Sequence, residues 1–260
     1  EEPGQMADQY NVEQGGIRGG TLRIFKSLPS TNRWILENAE ECRHGDIVFA
    51  MEQTAGTGRF GRKWIAYPDK SLTFSLAWKP CGRATEPQTL LLPVSAIAVK
   101  SCLKYCGITA GLKWPNDVTV QGGKICGILA EHKCDQNVTA LGIGLNVDMT
   151  SEDLAELPSE YAATSMLIES GHRFDVQCVL ESLIKHLEKA LGKMETRGSS
   201  WVQGEWSASD ILVNRNIELE TANGKAAGTY EGIDCTGRMI LKDNTGKKHH
   251  FTSGEVTILH

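Results

Sequence analysis

No apolar run in this chain approaches the ~20 residues that a membrane-spanning helix needs, which argues against a helical membrane protein. No secretory signal is visible, because residues 1–20 are polar and glycine-rich. The chain begins at Glu1 rather than Met, so processing is expected at that end. Positive charge is in deficit. The formal net charge of −5 argues against a general nucleic-acid binder and leaves room for a small anionic ligand at a local basic patch. There is no Cys-x-x-Cys pair. The 8 cysteines (Cys42, Cys81, Cys102, Cys106, Cys126, Cys134, Cys178 and Cys235) are scattered, and 260 residues can build a core without staples. They therefore read as reduced packing residues of an intracellular, cytoplasmic protein. Cys102 and Cys106 share a helix face, and His132 and Cys134 alternate on a strand. Neither pair has the further ligands of a zinc site. No Gly-Lys-Ser/Thr closes a P-loop, and the glycine spacing is not that of a dinucleotide fingerprint.

What the chain does have is the stretch Gln53-Thr-Ala-Gly-Thr-Gly-Arg-Phe-Gly-Arg-Lys-Trp64, between the apolar runs Ile47–Met51 and Ser71–Trp78. Gly56, Gly58 and Gly61 permit backbone angles and close approaches that side chains forbid. Arg59, Arg62 and Lys63 bring charge to the same place, and such a loop suits phosphate or carboxylate groups. A solvated hairpin loop with its basic residues in water is the competing reading. Trp64, a large aromatic beside a polar loop, favours function.

In chain order, residues 1–20 read as a flexible arm and Leu22–Phe25 as a strand. Ser30 or Thr31 then N-caps a helix carrying Trp34, Ile35, Leu36 and Ala39, and its free N–H groups are a second candidate ligand contact. Gln88–Cys106 has helical spacing, with Pro93 in its tolerant first turns. Pro115 holds Trp114 extended, Asn116-Asp117 bends the chain, and Val118 onward forms a hairpin turning at Gly122-Gly123. Lys124 follows that turn, and periodicity cannot say whether it faces water or a cleft. Asn137–Val147 is a strand weakened by Gly142 and Gly144 unless something approaches its backbone closely. Short helical pieces fill 151–170. Asp175 caps an amphipathic helix to Thr196 that Gly198 is expected to end. Beyond about residue 208, short apolar runs separated by Asn223-Gly224, Thr236-Gly237 and Asn244-Thr-Gly246 read as hairpins of a small barrel leaning on the first domain and poised to close over its cleft.

The ordered set Ser30-Thr31-Asn32, Gln53-x-x-Gly56-x-Gly58-Arg59-x-Gly61-Arg62-x-Trp64, Lys113-Trp-Pro-Asn-Asp117, Gly123-Lys124-x-x-Gly127-Ile-Leu and Gly142-x-Gly144-x-Asn146 resembles that of biotin protein ligases. Gly228-x-x-x-Gly232-Ile-Asp234 and Ser253-Gly254-Glu255-Val256 resemble their C-terminal domain. The resemblance covers roughly residues 21–259. It implies an α+β fold, with a mixed sheet and helices like the class II aminoacyl-tRNA synthetase core plus an SH3-like barrel. The expected domains are the arm over 1–20, a catalytic biotin/ATP-binding domain over 21–207 and the barrel over 208–260. It also implies a two-step reaction. Biotin and MgATP give biotinyl-5′-AMP and pyrophosphate, and a lysine of a biotin carboxyl carrier domain of a carboxylase then takes the biotin and releases AMP.

On this resemblance Lys124, Arg59 and Arg62 neutralise the biotin carboxylate and α-phosphate, with Lys124 as the bridge. Ser30, Thr31, Asn32 and Gln53 belong to the biotin contacts, Ser30, Thr31 and Gln53 bonding the ureido head. Gly127, Gly142 and Gly144 leave room for ring and tail. Gly56, Gly58 and Gly61 let the loop close and exclude water. Trp64 and Trp114 are walls, and Asn116 and Asn146 belong to the nucleotide contacts. Asp117 is a candidate base for the incoming lysine and a candidate Mg²⁺ contact, the one metal contact suggested. Many relatives carry arginine at the positions of Thr57 and Phe60, so a weaker electrostatic grip on the intermediate is expected. Only a short polar arm precedes Thr21, so no partnership with nucleic acid is expected, and none with a membrane; the oligomeric state stays open. A lipoate or octanoate ligase on the related core and a non-catalytic biotin-binding regulator are the alternatives.

Overall fold

The computed structural model describes residues 9–79, 88–157 and 162–259. Eight strands form one mixed sheet: β1 (Gln9–Gln14), β2 (Thr21–Leu28), β3 (Ile47–Gln53), β4 (Ser71–Trp78), β5 (Gly111–Lys113), β6 (Asp117–Val120), β7 (Gly123–Lys133) and β8 (Val138–Asn146). Their order is β1-β2-β3-β4-β8-β7-β6-β5, antiparallel except for the parallel pair β2–β3. The helices are α1 (Thr31–Glu37), α2 (Leu91–Tyr105), α3 (Ser151–Ala155), α4 (Met166–Ser170) and α5 (Val176–Ser207).

Strand alternation gives the sheet two unlike faces. Leu72, Phe74 and Leu76 of β4 and Leu141, Ile143 and Leu145 of β8 are fully or almost fully buried, in one core with the apolar residues of α2 and α5. The intervening residues are small or polar: Thr73, Ser75 and Ala77 on β4, and Ala140, Gly142, Gly144 and Asn146 on β8. The short helix α1 packs on this second face against a smaller cluster including Ile35, Val48 and Ala77. Its first turn reaches β8, with Asn32 against Gly142, and the site lies beside it on this face.

The expected arm over 1–20 needs partial correction. Gln9–Gln14 pair with β2, and Ile17 is completely buried in the larger core. The neighbouring glycines serve close packing: a Cβ on Gly45 would lie 2.0 Å from the Ile17 carbonyl oxygen. Residues 1–8 and Cys81 lie outside the described residues. Gly198, at φ 72°, interrupts α5, but helix resumes to Ser207 instead of ending there.

The C-terminal segment is a five-stranded antiparallel sheet of order β12-β11-β10-β9-β13, from β9 (Asn216–Thr221), β10 (Gly224–Ile233), β11 (Met239–Lys242), β12 (Lys248–Phe251) and β13 (Glu255–Ile258). Asp210 anchors it. Trp206 Nε1 and the Tyr230 hydroxyl donate to Asp210 Oδ2 at 2.8 and 2.7 Å, and the Leu212 N–H donates to Oδ1 at 3.0 Å. Burial pushes the Asp210 carboxyl above its usual range against those three bonds. Trp114 is tied to the same sheet by its indole N–H, which donates to the Gly237 carbonyl at 3.2 Å.

Candidate active site

A cavity of about 240 Å³ opens on the glycine-bearing face, between α1, the loop after β3, the β5–β6 connection and the tip of β13. At one end the Ser30 hydroxyl caps α1 by accepting from the Arg33 N–H, so its capping reading holds while the residue also lines the cavity. Beside it the Thr31 N–H donates to Gln53 Oε1 at 2.8 Å. The Thr31 hydroxyl lies 2.6 Å from the Ser75 hydroxyl, which donates to Asn32 Oδ1 at 2.7 Å. Asn32 Nδ2 donates to Glu131 Oε2 at 2.7 Å. Thr31, Asn32 and Ser75 are nearly or fully buried, so this end is a dense polar cluster satisfied largely from within.

The opposite end is cationic. Lys124 leaves β7 beside a register shift between Val118 and Thr119 of β6. Its ammonium sits 2.7 Å from Asp117 Oδ1 and 5.8 Å from the centre of the Trp64 ring. The lysine that periodicity left ambiguous therefore faces the cleft. The loop folds into a small closed hairpin: the Gly58 N–H donates to the Arg62 carbonyl, and the Trp64 N–H to the Gly56 carbonyl. Phe60 (φ 57°) and Gly61 (φ 72°) turn its tip. Glycine takes that geometry freely, whereas for Phe60 it costs on the order of 1 kcal/mol. Phe60 is 62% exposed at the cavity mouth, with the Arg59 guanidinium 4.7 Å over its ring.

Arg59 Nη1 donates to the Gly254 carbonyl at 3.2 Å and to Asn116 Oδ1 at 3.4 Å. Burial draws the Arg59 guanidinium below its ordinary range, and Asp117 and Glu255 oppose that shift; it remains a cation. Arg62 pairs with both Glu255 carboxylate oxygens, at 2.6 and 2.5 Å. The loop's charges are thus held against the C-terminal sheet, which completes the cavity with Gly254, Glu255 and Val256. These contacts bring the start of β13 to the cavity mouth.

Trp64 lies between the ends. An added Cβ on Gly144 would come within 2.3 Å of its ring, and one on Gly127 within 3.0 Å. The indole stacks directly on strand backbone, which is why those two positions carry no side chain. Its Nε1 is shut from solvent with no hydrogen-bond partner.

Most of the sequence-predicted residues converge here. Gly58, Trp114, Asn116, Gly142 and Asn146 join those described above as cavity lining. Asn116 also donates to the Ile128 carbonyl, and Asn146 to the Thr164 carbonyl, so both brace backbone as well. Gly56 and Gly61 do not line the cavity. A Cβ on Gly56 would strike the Trp64 carbonyl at 2.5 Å, and Gly61 faces open space. These two shape the loop. No site role was expected of Ser75, in a strand that reads as an apolar run, or of Glu131, in the second strand of the hairpin. None was assigned to Gly254 or Glu255, although the Ser-Gly-Glu-Val motif was the available signal. Among the described residues no cluster of three or more potential metal-ligating side chains occurs, and Asp117 is paired with Lys124. No helix among them is long and apolar enough to cross a membrane.

Residues 24–148 match the model of the biotin/lipoate A/B protein ligase family, and residues 212–259 that of the biotin protein ligase C-terminal domain. The chain is 32% identical over 225 residues to the biotin–[acetyl-CoA-carboxylase] ligase of Paracoccus denitrificans, covering 84% of this chain and 93% of that one. It is 27% identical over 260 residues to the bifunctional ligase/repressor BirA of Escherichia coli, covering 99% of this chain and 79% of that protein. Among solved structures, the biotin protein ligase of Aquifex aeolicus in complex with biotin and ATP superposes with a TM-score of 0.79 at 27% identity, covering 92% of this chain and 98% of that one.

Proposed function

The chain belongs to the biotin protein ligase family, and from that premise we propose how its cavity joins two anions and transfers the product. The enzyme is an ATP-dependent biotin–protein ligase, with biotin and ATP as substrates and Mg²⁺ arriving with the nucleotide. The biotin carboxylate attacks the α-phosphorus of ATP, the bond to the β-phosphate oxygen breaks, and pyrophosphate leaves. The lysine amine of the acceptor then attacks the acyl carbon of biotinyl-5′-AMP, losing a proton as AMP departs. The acceptor is the carrier protein of acetyl-CoA carboxylase, and we extend it to the carrier domains of other biotin-dependent carboxylases.

The observation that carries the role assignment is the cavity's polarity. A closed network of hydroxyl and amide groups stands at one end and Lys124, Arg59 and Arg62 at the other. The uncharged, hydrogen-bonding ureido head suits the first end. The second suits the carboxylate and α-phosphate, whose mutual repulsion Lys124 offsets as negative charge builds at phosphorus. Arg59 and Arg62, gripping the nucleotide side, retain the intermediate and keep water from it. Asp117, ion-paired to Lys124, orients that ammonium, and we assign it as the base for the acceptor lysine's proton. Trp114, Asn116 and Asn146 frame the nucleotide. We assign residues 21–207 as the catalytic unit and 208–260 as the barrel that completes its cleft. We place the protein in the cytoplasm, where ATP and carrier proteins are available; its seven described cysteines, all unpaired, suit a reducing compartment.

The test is exchange of labelled pyrophosphate into ATP with biotin, lipoate or octanoate as the acid. Exchange supported by biotin is expected. Exchange supported better by lipoate or octanoate, or by no acid, would overturn the assignment.

A further inference from the structure

We propose that Glu131, which does not line the cavity, is a positioning residue for biotin: acting through Asn32 and Ser75, it fixes the hydrogen-bond polarity of the Thr31–Gln53 end. The proposal rests on the reading that this end takes the ureido head.

A backbone N–H can only donate, so the Thr31 N–H at 2.8 Å fixes the Gln53 oxygen inward and leaves Gln53 Nε2 as its donor for a ligand. Asn32 has its amide nitrogen 2.7 Å from Glu131 Oε2 and 3.3 Å from the Leu129 carbonyl. An ionised carboxylate and a carbonyl only accept, so the Asn32 oxygen must face Ser75, at 2.7 Å. Ser75 spends its single proton there. At 2.6 Å from the Thr31 hydroxyl, it can then only accept the Thr31 proton. Thr31 is left with lone pairs for the cavity. This end therefore presents an acceptor at Thr31 and a donor at Gln53, complementary to the N–H and C=O groups of a urea.

Glu131 is the strongest element holding that order, because its bond to Asn32 is short and charge-assisted whereas the Leu129 contact is long. Its place follows from register. Glu131 lies opposite Ala140 on β8, four residues from Gly127 on the same strand face. Without it the Asn32 amide can turn over. Its nitrogen then donates to Ser75 and Ser75 donates to Thr31, whose own proton turns to Gln53 Oε1, 3.1 Å away, so Thr31 spends a lone pair on Ser75 and keeps one fewer for the ureido N–H.

Calorimetric titration of biotin into the full chain, with pyrophosphate exchange measured in parallel, tests this. Glu131→Val is expected to weaken biotin binding about tenfold, leaving kcat at saturating biotin and the KM for ATP unchanged. Glu131→Gln should restore most of the affinity, because its amide oxygen still accepts from Asn32. Ser75→Ala lets the Thr31 proton move to Gln53 Oε1, 3.1 Å away, so in that background Glu131→Val should have no further effect. Glu131→Ala, read in the same way, guards against a valine that disturbs β7. Unchanged biotin affinity in both Glu131→Val and Glu131→Ala, an equal loss with and without Ser75, or a loss confined to kcat would overturn the proposal. If the wild type binds biotin and the variants match it, the relay alone fails. A wild type that binds no biotin would remove the ligase reading with it.

Discussion

The two ends of the cavity are built on different terms. The amide and hydroxyl end is made by strand register and a helix cap. Thr31, Asn32 and Ser75 are buried, and their partners come from α1, β3, β4 and β7 of one sheet unit. The cationic end is made by a loop leaning on a second sheet. Its Arg62–Glu255 pair is 43% and 39% exposed, and Arg59 reaches a carbonyl 195 residues away in sequence. A buried polar network is costly to disturb and gives selectivity. An exposed ion pair contributes little and exchanges partners readily, which suits a clamp that must open and close around each product. On the roles proposed above, recognition of an uncharged head falls to a buried polar network and the handling of changing charge to a more exposed loop.

That contrast can be broken from either side. The largest effect is expected for Lys124→Ala, which removes the cation proposed to stand between the two anions. Biotin-dependent pyrophosphate exchange should fall by about 100-fold to 1000-fold with the thermal unfolding midpoint preserved. At the other end, Gly142→Ala places a Cβ 2.6 Å from Asn32 Oδ1, which its bonds to Ser75 and Glu131 hold in place. The Asn32–Ser75 bond must yield, and biotin affinity measured by calorimetry should drop about tenfold. Arg59→Gly should release biotinyl-AMP about tenfold faster, read as labelling of unrelated lysines in a mixed-protein assay. Removing the clasp with Glu255→Gln should change the KM for ATP by about fivefold at most, and added salt should shrink the difference.

The sequence made the local devices legible and left the long-range ones hidden. Ser30 announces its helix by position. The loop's glycines and arginines announce an anion site by composition, and Gly142 and Gly144 announce a close approach that proves to be Asn32 and Trp64. The direction of Lys124 was not legible because a register shift in the β6–β7 hairpin, and not simple alternation, sets the local pairing. The strand over Gln9–Gln14 was missed because its polar residues depend on pairing with β2 and carry no apolar periodicity. Ser75 was missed because a serine in a fully buried strand looks like a packing residue until the side chain opposite is known. The glycines near residues 15–20 suggested flexibility, yet Gly16 and Gly20 are glycines because backbone packs on backbone.

The central claim, that head recognition and charge chemistry occupy separable ends, is tested most directly by the biotin affinity of Lys124→Ala measured without nucleotide. The account predicts a loss of less than about tenfold, one salt bridge's worth, beside a loss of exchange of 100-fold or more. Equal losses of affinity and exchange would contradict it.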